Sequence, residues 1–204
     1  MTFREVRADF DDTTIVVYQA FRPQTVDAAI AAGTFAGGFK RDRMTWIKPS
    51  FLWMMYRCGW GEKEGQERVV RIRLTRAGFD AALSQSCLAS YERDLYGTRE
   101  AWEQAKRTSP VRVQWDPERS IDLTALDHRA IQVGLGPAVV PAYVDEWIVG
   151  IEDMTNEVHA IKRSLRRGAR DEAMAALPRE RAYPLPAAIA ARVGASDQDR
   201  PASL

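Results

Sequence analysis

The chain has little cysteine, little histidine and no long apolar run, and each shortage removes a class of function. Its two cysteines, Cys58 and Cys87, stand in separate apolar segments without a CxxC pair or a zinc-type spacing. A disulfide framework or a Cys-ligated metal is therefore not expected, and Cys58, among Met54, Met55 and Trp60, reads as a buried structural thiol. His128 and His159 are the only histidines, with no HxH, HxxxH or HExxH around them, so no metal site is expected. His128 reads as a turn residue and His159 as a histidine on a helix. No GxSxG elbow, Walker loop or GxGxxG fingerprint is present, and Gly134-Leu135-Gly136 is a lone GxG. The apolar stretches fall well short of the roughly 18 residues of a membrane span, and MTFREVRADFDD carries no apolar signal core. No membrane association is expected, and the cytoplasm is the expected location.

Lysine is scarce as well. Of 29 basic residues only Lys40, Lys48, Lys63, Lys106 and Lys162 are lysines, and the other 24 are arginines. Two explanations stay open: codon usage in a GC-rich genome, or anion recognition, for which the planar guanidinium fork is suited. The net charge of +1 supplies no overall field that would draw in nucleic acid or an anionic membrane. A basic helix face, Lys162, Arg163, Arg166, Arg167 and Arg170, could meet phosphates. Asp171 and Glu172 follow it directly and no aromatic residues interleave, so a solvated face is the favoured reading and a nucleic-acid partner is not.

What is present is an ordinary globular composition, 46% hydrophobic and 28% charged over 204 residues, enough for one domain with a sizeable core. Thr14–Phe21 is β-branched and aromatic at both parities, as in a strand covered on both faces. Pro23 to Gly33 reads as a helix with proline at its start and glycine at its end. Phe35–Arg43 reads as a mobile or ligand-facing loop and Met44–Ile47 as a short strand. Ser50 to about Cys58 is a helix apolar nearly all round, hence buried. Further strands are expected at Arg68–Leu74, Val111–Trp115, Arg129–Leu135 and Trp147–Ile151. Helices are expected from Thr75 to about Leu88, Arg99–Lys106 and Thr155–Arg167, with Asp116–Arg119 as a turn. Interleaved strands and helices without a linker predict a single mixed α+β domain over residues 1–194, with residues 195–204 as a disordered tail.

The densest polar-aromatic content lies in Val17–Arg22 and Arg43–Trp53. Gln19, Lys48 and Ser50 sit there in apolar surroundings and must find partners or lose desolvation energy. They could cap the buried helix, or they could be the convergent polar groups of an apolar, aromatic pocket. The pocket is the reading favoured here.

RADFDDTTIVVYQAF, RMTWIKPSFLWMMYRCGW, VQWDPER, RAIQVGL and EWIVGIEDMT together resemble the family known as domain of unknown function 4291, over roughly Met1 to Pro184. More distantly, the opening strand with Tyr18-Gln19-Ala20, followed by a helix ending in glycine, is similar to ADP-ribosyltransferases. That similarity implies a split sheet with flanking helices and NAD, or a related nucleotide, as ligand, without a metal. It puts Gln19 or Arg22 at the first-strand position that holds NAD, and Thr45, Trp46 and Ser50 at the motif packing on nicotinamide. Gln132 falls where those folds carry a catalytic glutamate, so Gln132 and Ser50 occupy the catalytic positions. Arg22, Arg43 and Lys48 are then expected on phosphate, and Tyr18 or Trp46 stacked on a ring. A neutral amide at position 132 contributes little charge stabilisation, which favours nucleotide binding over transferase chemistry. A phosphorylated RNA end is a related ligand. A non-catalytic binding module for a small molecule or a protein is the rival reading.

Overall fold

The structure is a computed structural model describing residues 3–196. Of the expected tail, residues 197–204 lie outside the described residues. Ala195 donates its N–H to the Ala190 carbonyl at 3.0 Å, and Ser196 donates to the Arg4 carbonyl at 2.8 Å.

The first half runs β1 (Arg7–Ala8), β2 (Thr14–Phe21), α1 (Pro23–Ala32), β3 (Thr45–Ile47), α2 (Phe51–Cys58) and β4 (Arg68–Thr75). Pro23 opens α1, where its missing N–H costs nothing. α2 is closed by Gly59, whose left-handed φ of 61° lets its N–H reach the Met55 carbonyl. The middle runs α3 (Arg76–Ser84), β5 (Ser86–Leu88), α4 (Arg93–Tyr96), α5 (Arg99–Thr108), β6 (Val111–Arg119) and β7 (Ala125–Leu135). The last third holds α6 (Val140–Ala142), a π-helical turn at Tyr143–Trp147, β8 (Ile148–Asp153), α7 (Thr155–Arg166), α8 (Arg170–Ala175), β9 (Arg181–Ala182) and α9 (Ala187–Val193). No helix among the described residues is long and apolar enough to cross a membrane.

The strands form three sheets, β2-β4-β8, β3-β7-β6-β5 and the small pair β1-β9. The class is α+β in one compact domain, as the pattern predicts. The two larger sheets meet where Tyr18 and Lys48 exchange backbone hydrogen bonds, Tyr18 N–H to Lys48 carbonyl at 2.7 Å and the reverse at 3.3 Å. β2 is wedged between two apolar cores. Ile15 and Val17 join the larger one, with Val70, Ile72, Val113, Val133 and Tyr143. Val16 and Tyr18 join the smaller one, with Phe51, Met54, Met55 and Trp60 of the α2 region. Alternation along one strand thus feeds both cores.

Three local expectations are corrected, two by long-range strand pairing and one by a local hydrogen bond. The helix after Thr75 stops at Ser84, because Ser86–Leu88 pairs in parallel with Val111–Val113. Asp116–Arg119 is not a turn; β6 continues through it, with a register shift between Pro117 and Arg119 that absorbs the proline. The reversal lies at Ser120–Thr124, so His128 is a strand residue of β7. Thr155 is the first residue of α7 and not its cap: Asp153 Oδ1 accepts the Thr155 N–H at 3.0 Å.

Candidate functional site

A cavity of about 770 Å³ opens where the two larger sheets meet. Its wall begins with the end of β2, Gln19 to Arg22, and continues with the loop residues Gly38–Lys40 and the segment Arg43–Trp46. Lys48 follows, then Met54 and Arg57 from α2, Gly65 and Gln66 from the next loop, and Gln132 from β7. β3 sets the geometry. It pairs with the end of β7 so that Trp46 stands opposite Gly134, with the indole packed close against that glycine. A Cβ there would stand 2.7 Å from the Met44 sulfur and 3.0 Å from the indole, so only glycine admits this seat.

The floor is a fixed polar knot. Gln19 Nε2 donates to Thr45 Oγ1 at 2.7 Å and to the Trp46 carbonyl at 3.1 Å, while its Oε1 accepts the Tyr143 hydroxyl at 2.8 Å. The same Trp46 carbonyl accepts Lys48 Nζ at 3.3 Å. Lys48 is buried, 5% exposed, and its Nζ lies 5.3 Å from the centre of the Trp53 ring. Burial, aided by the nearby Arg57 charge, lowers the Lys48 amine to about 7, against a smaller opposing pull from Asp116. Gln132 Nε2 donates to Asp116 Oδ2 at 2.7 Å, and Gln114 Nε2 holds the other oxygen at 2.9 Å.

Five basic side chains line the cavity, the exposed Arg22, Lys40, Arg43 and Arg57 and the buried Lys48, and among the described residues no Asp or Glu does. Lys40 and Arg43 make no hydrogen bond or ion pair within the protein among the described residues. Arg57 reaches only Gln66 Oε1, at 3.5 Å. Arg22 lies near Glu67, whose carboxyl is held low chiefly by backbone N–H groups and least by that guanidinium.

Of the residues singled out from sequence, Gln19, Arg22, Arg43, Thr45, Trp46, Lys48 and Gln132 line this one cavity. Tyr18 and Ser50 lie outside its lining. Tyr18 is fully buried with its ring edge-on to Phe51 at 5.5 Å. Ser50 is the N-cap of α2: its Oγ accepts the Trp53 N–H at 3.1 Å and donates to Glu118 Oε1 at 2.8 Å. Half-buried Glu180 turns its carboxyl in onto the Phe51 N–H at 2.6 Å, so two carboxyls face the start of this helix. Burial pushes both up, Glu180 to about 8, where the Glu118 charge adds to it. Sequence reasoning did not single out Lys40, Arg57 or Asp116. Arg57 had a visible signal, as the one charged residue in an otherwise apolar helix.

The basic face of α7 and its continuation is largely paired, Arg163 alone among its five basic side chains having no ion-pair partner among the described residues. Lys162 and Arg166 pair with Glu62 at 2.5 and 3.1 Å, Arg167 pairs with Glu172, and Arg170 pairs with Asp122 at 2.7 Å. Among the described residues, no group of three or more His, Cys, Asp or Glu is gathered to hold a metal ion.

Compared with known families, residues 5–183 match the model of a family described as "Domain of unknown function (DUF4291)". No curated protein matches the chain.

Proposed function

The chain belongs to the DUF4291 family, and on that footing we propose that its cleft binds a phosphate-bearing nucleotide of the NAD or ADP-ribose kind. One observation carries the proposal: four cations, Arg22, Lys40, Arg43 and Arg57, line a cavity of about 770 Å³ in a protein of net charge +1, and among the described residues no Asp or Glu does. Arg22, Lys40, Arg43 and Arg57 are exposed around one concavity, where their fields add and an entering anion meets several solvated donors at once, and arginine meets phosphate in bidentate fashion. The volume is of the size that encloses a nucleotide-sized molecule. In this reading Arg22, Lys40, Arg43 and Arg57 receive phosphates, the Trp46 indole offers a stacking face, and Gln132 receives a ribose hydroxyl. NAD enters as a ligand of this cleft.

A second reading has a specific observation in its favour. Gln19 is fully engaged by Tyr143, Thr45 and Trp46, and the lining lacks the acid that would stabilise a ribosyl cation. This favours binding without ADP-ribosyl transfer, the ligand serving as a signal or a stabiliser. Both readings are tested by thermal shift and calorimetry with NAD, ADP-ribose, nicotinamide, ATP and 5′-phosphorylated RNA. At about 100 times Kd a ligand should stabilise the fold by about 2.7 kcal/mol, several degrees of Tm in a domain of this size. Nicotinamide release from NAD separates turnover from binding. Silence with every phosphate-bearing ligand would end the nucleotide reading.

A further inference from the structure

Lys48 is unusual among the five lysines. Lys63 Nζ donates to the Arg57 carbonyl at 2.8 Å, Lys162 pairs with Glu62, Lys106 lies 4.6 Å from the Trp102 ring centre, and Lys40 is exposed. Lys48 alone combines burial with a place in the cavity wall. Its Nζ has one protein acceptor, the Trp46 carbonyl, which Gln19 already shares, and no ion-pair partner among the described residues. An ammonium so poorly solvated favours its neutral form. A lysine amine desolvated beside another cation is the arrangement that yields a nucleophile toward carbonyl carbon.

We infer that Lys48 is the reactive amine of the cleft and forms a reversible imine with the aldehyde or ketone of a phosphate-bearing ligand, such as an open-chain phosphorylated sugar. The inference rests on the anion cleft proposed above, which would carry the phosphate while the carbonyl lies against the floor. The neutral Nζ attacks the carbonyl carbon, the C=O electron pair passes to oxygen, and that oxygen takes a proton. The resulting carbinolamine loses water as its C–O bond breaks and the C=N bond forms, so amine and carbonyl give imine and water with no redox change. Asp116, clamped by Gln114 and Gln132, is the nearby negative charge that favours the iminium, while Arg57 opposes it. Cys58 is the remaining titratable group acting on the amine, and burial holds its thiol up and neutral.

The test uses pyridoxal 5′-phosphate as a phosphorylated aldehyde, borohydride to fix any imine, and peptide mass spectrometry to map the five lysines of the full chain. Lys48 should lead the others by at least about tenfold, since half its amines are neutral near pH 7, against fewer than about one in a thousand for a lysine in water. Its labelling should rise through pH 7 and then level off. Pyridoxal without the phosphate should label it at least about tenfold less, and excess ADP should block it, if phosphate contacts deliver the aldehyde. ADP has no carbonyl, so its own thermal shift reports on the anion cleft alone. ADP stabilisation with Lys48 unlabelled would overturn the imine and leave the cleft standing. No ADP effect and no label would overturn both. Labelling of Lys48 indifferent to phosphate and to ADP would also overturn the inference as stated. Lys48→Met, verified as folded by circular dichroism, should lose the label and keep the ADP shift. The wild-type map decides alone if that variant does not fold.

Discussion

The molecule has two arginine-rich regions of similar size and opposite condition. On α7 and the start of α8, four of five basic side chains, Lys162, Arg166, Arg167 and Arg170, have a carboxylate partner, Glu62, Glu172 or Asp122. In the cleft, Lys40 and Arg43 have none among the described residues, and Arg57 reaches only an amide. A linear count of basic residues points first to α7, because five cations, Lys162, Arg163, Arg166, Arg167 and Arg170, fall within nine residues there. Pairing reverses the ranking. A solvated ion pair adds little stability but cancels the field a phosphate would feel, whereas unpartnered cations around a concavity add theirs.

The sharpest way to break this contrast is to put an acid into the cleft. Arg43→Glu removes a charge-assisted donor and adds repulsion, so ADP-ribose affinity measured by calorimetry should fall by about a hundredfold, or ~2.7 kcal/mol, with Tm nearly unchanged. An unchanged affinity would remove Arg43 from the phosphate site. Ser50→Ala acts on the neighbouring helix start instead. It loses the α2 cap and the hydrogen bond to Glu118, and should cost about 1–2 kcal/mol in denaturant titration while leaving ligand affinity alone. A loss of affinity without a loss of stability would put Ser50 back in the site.

Glu180→Gln sharpens the comparison through pH. The native Glu180 carboxyl titrates near 8, against 4.5 when unconstrained, so the folded state holds the proton more tightly. Wild-type stability should therefore decline from about pH 4.5 upward, with the whole of this loss reached above pH 8. The glutamine variant can still accept the Phe51 N–H and should show a flatter profile and a higher Tm at pH 8. Parallel profiles for the two proteins would mean that the Glu180 carboxyl is not held inside. The smallest effect is expected on α7. Glu62→Gln frees Lys162 and Arg166, and should raise duplex DNA affinity at low salt by a factor of a few, without touching ADP-ribose binding. Strong DNA binding by the wild-type chain would refute the reading that its ion pairs quench this face.

The fold class and most elements could be read from local signals, because β2, α1 and α2 carry them: β-branched and aromatic residues at both parities, proline at a helix start and glycine at its end. Six lining residues could be named for a related reason, since Val17–Arg22 and Arg43–Trp53 bring them in as two contiguous motifs, whereas Gln132 on β7 was reached only through resemblance. What stayed hidden depends on long-range pairing. Pro117 looks like a chain reversal until Ala130 and Arg129 are seen opposite Asp116 and Pro117. That extension of β6 brings Asp116 to Gln132. Glu180 meets Phe51 across 129 positions, a separation no window of sequence can bridge. Tyr18 and Gln19 were both expected beside the ligand, yet adjacent residues on a strand face opposite ways, and only Gln19 lines the cleft.

The Tyr18–Lys48 backbone pair joins the two larger sheets at the cavity's edge. A phosphate held at once by Arg22, just beyond β2, and Arg43, just before β3, would act as a clasp across that seam. The amide protons of Tyr18 and Lys48 would then be its natural reporters, exchanging with deuterated solvent more slowly when the cleft is full and marking occupancy without any chemistry having taken place.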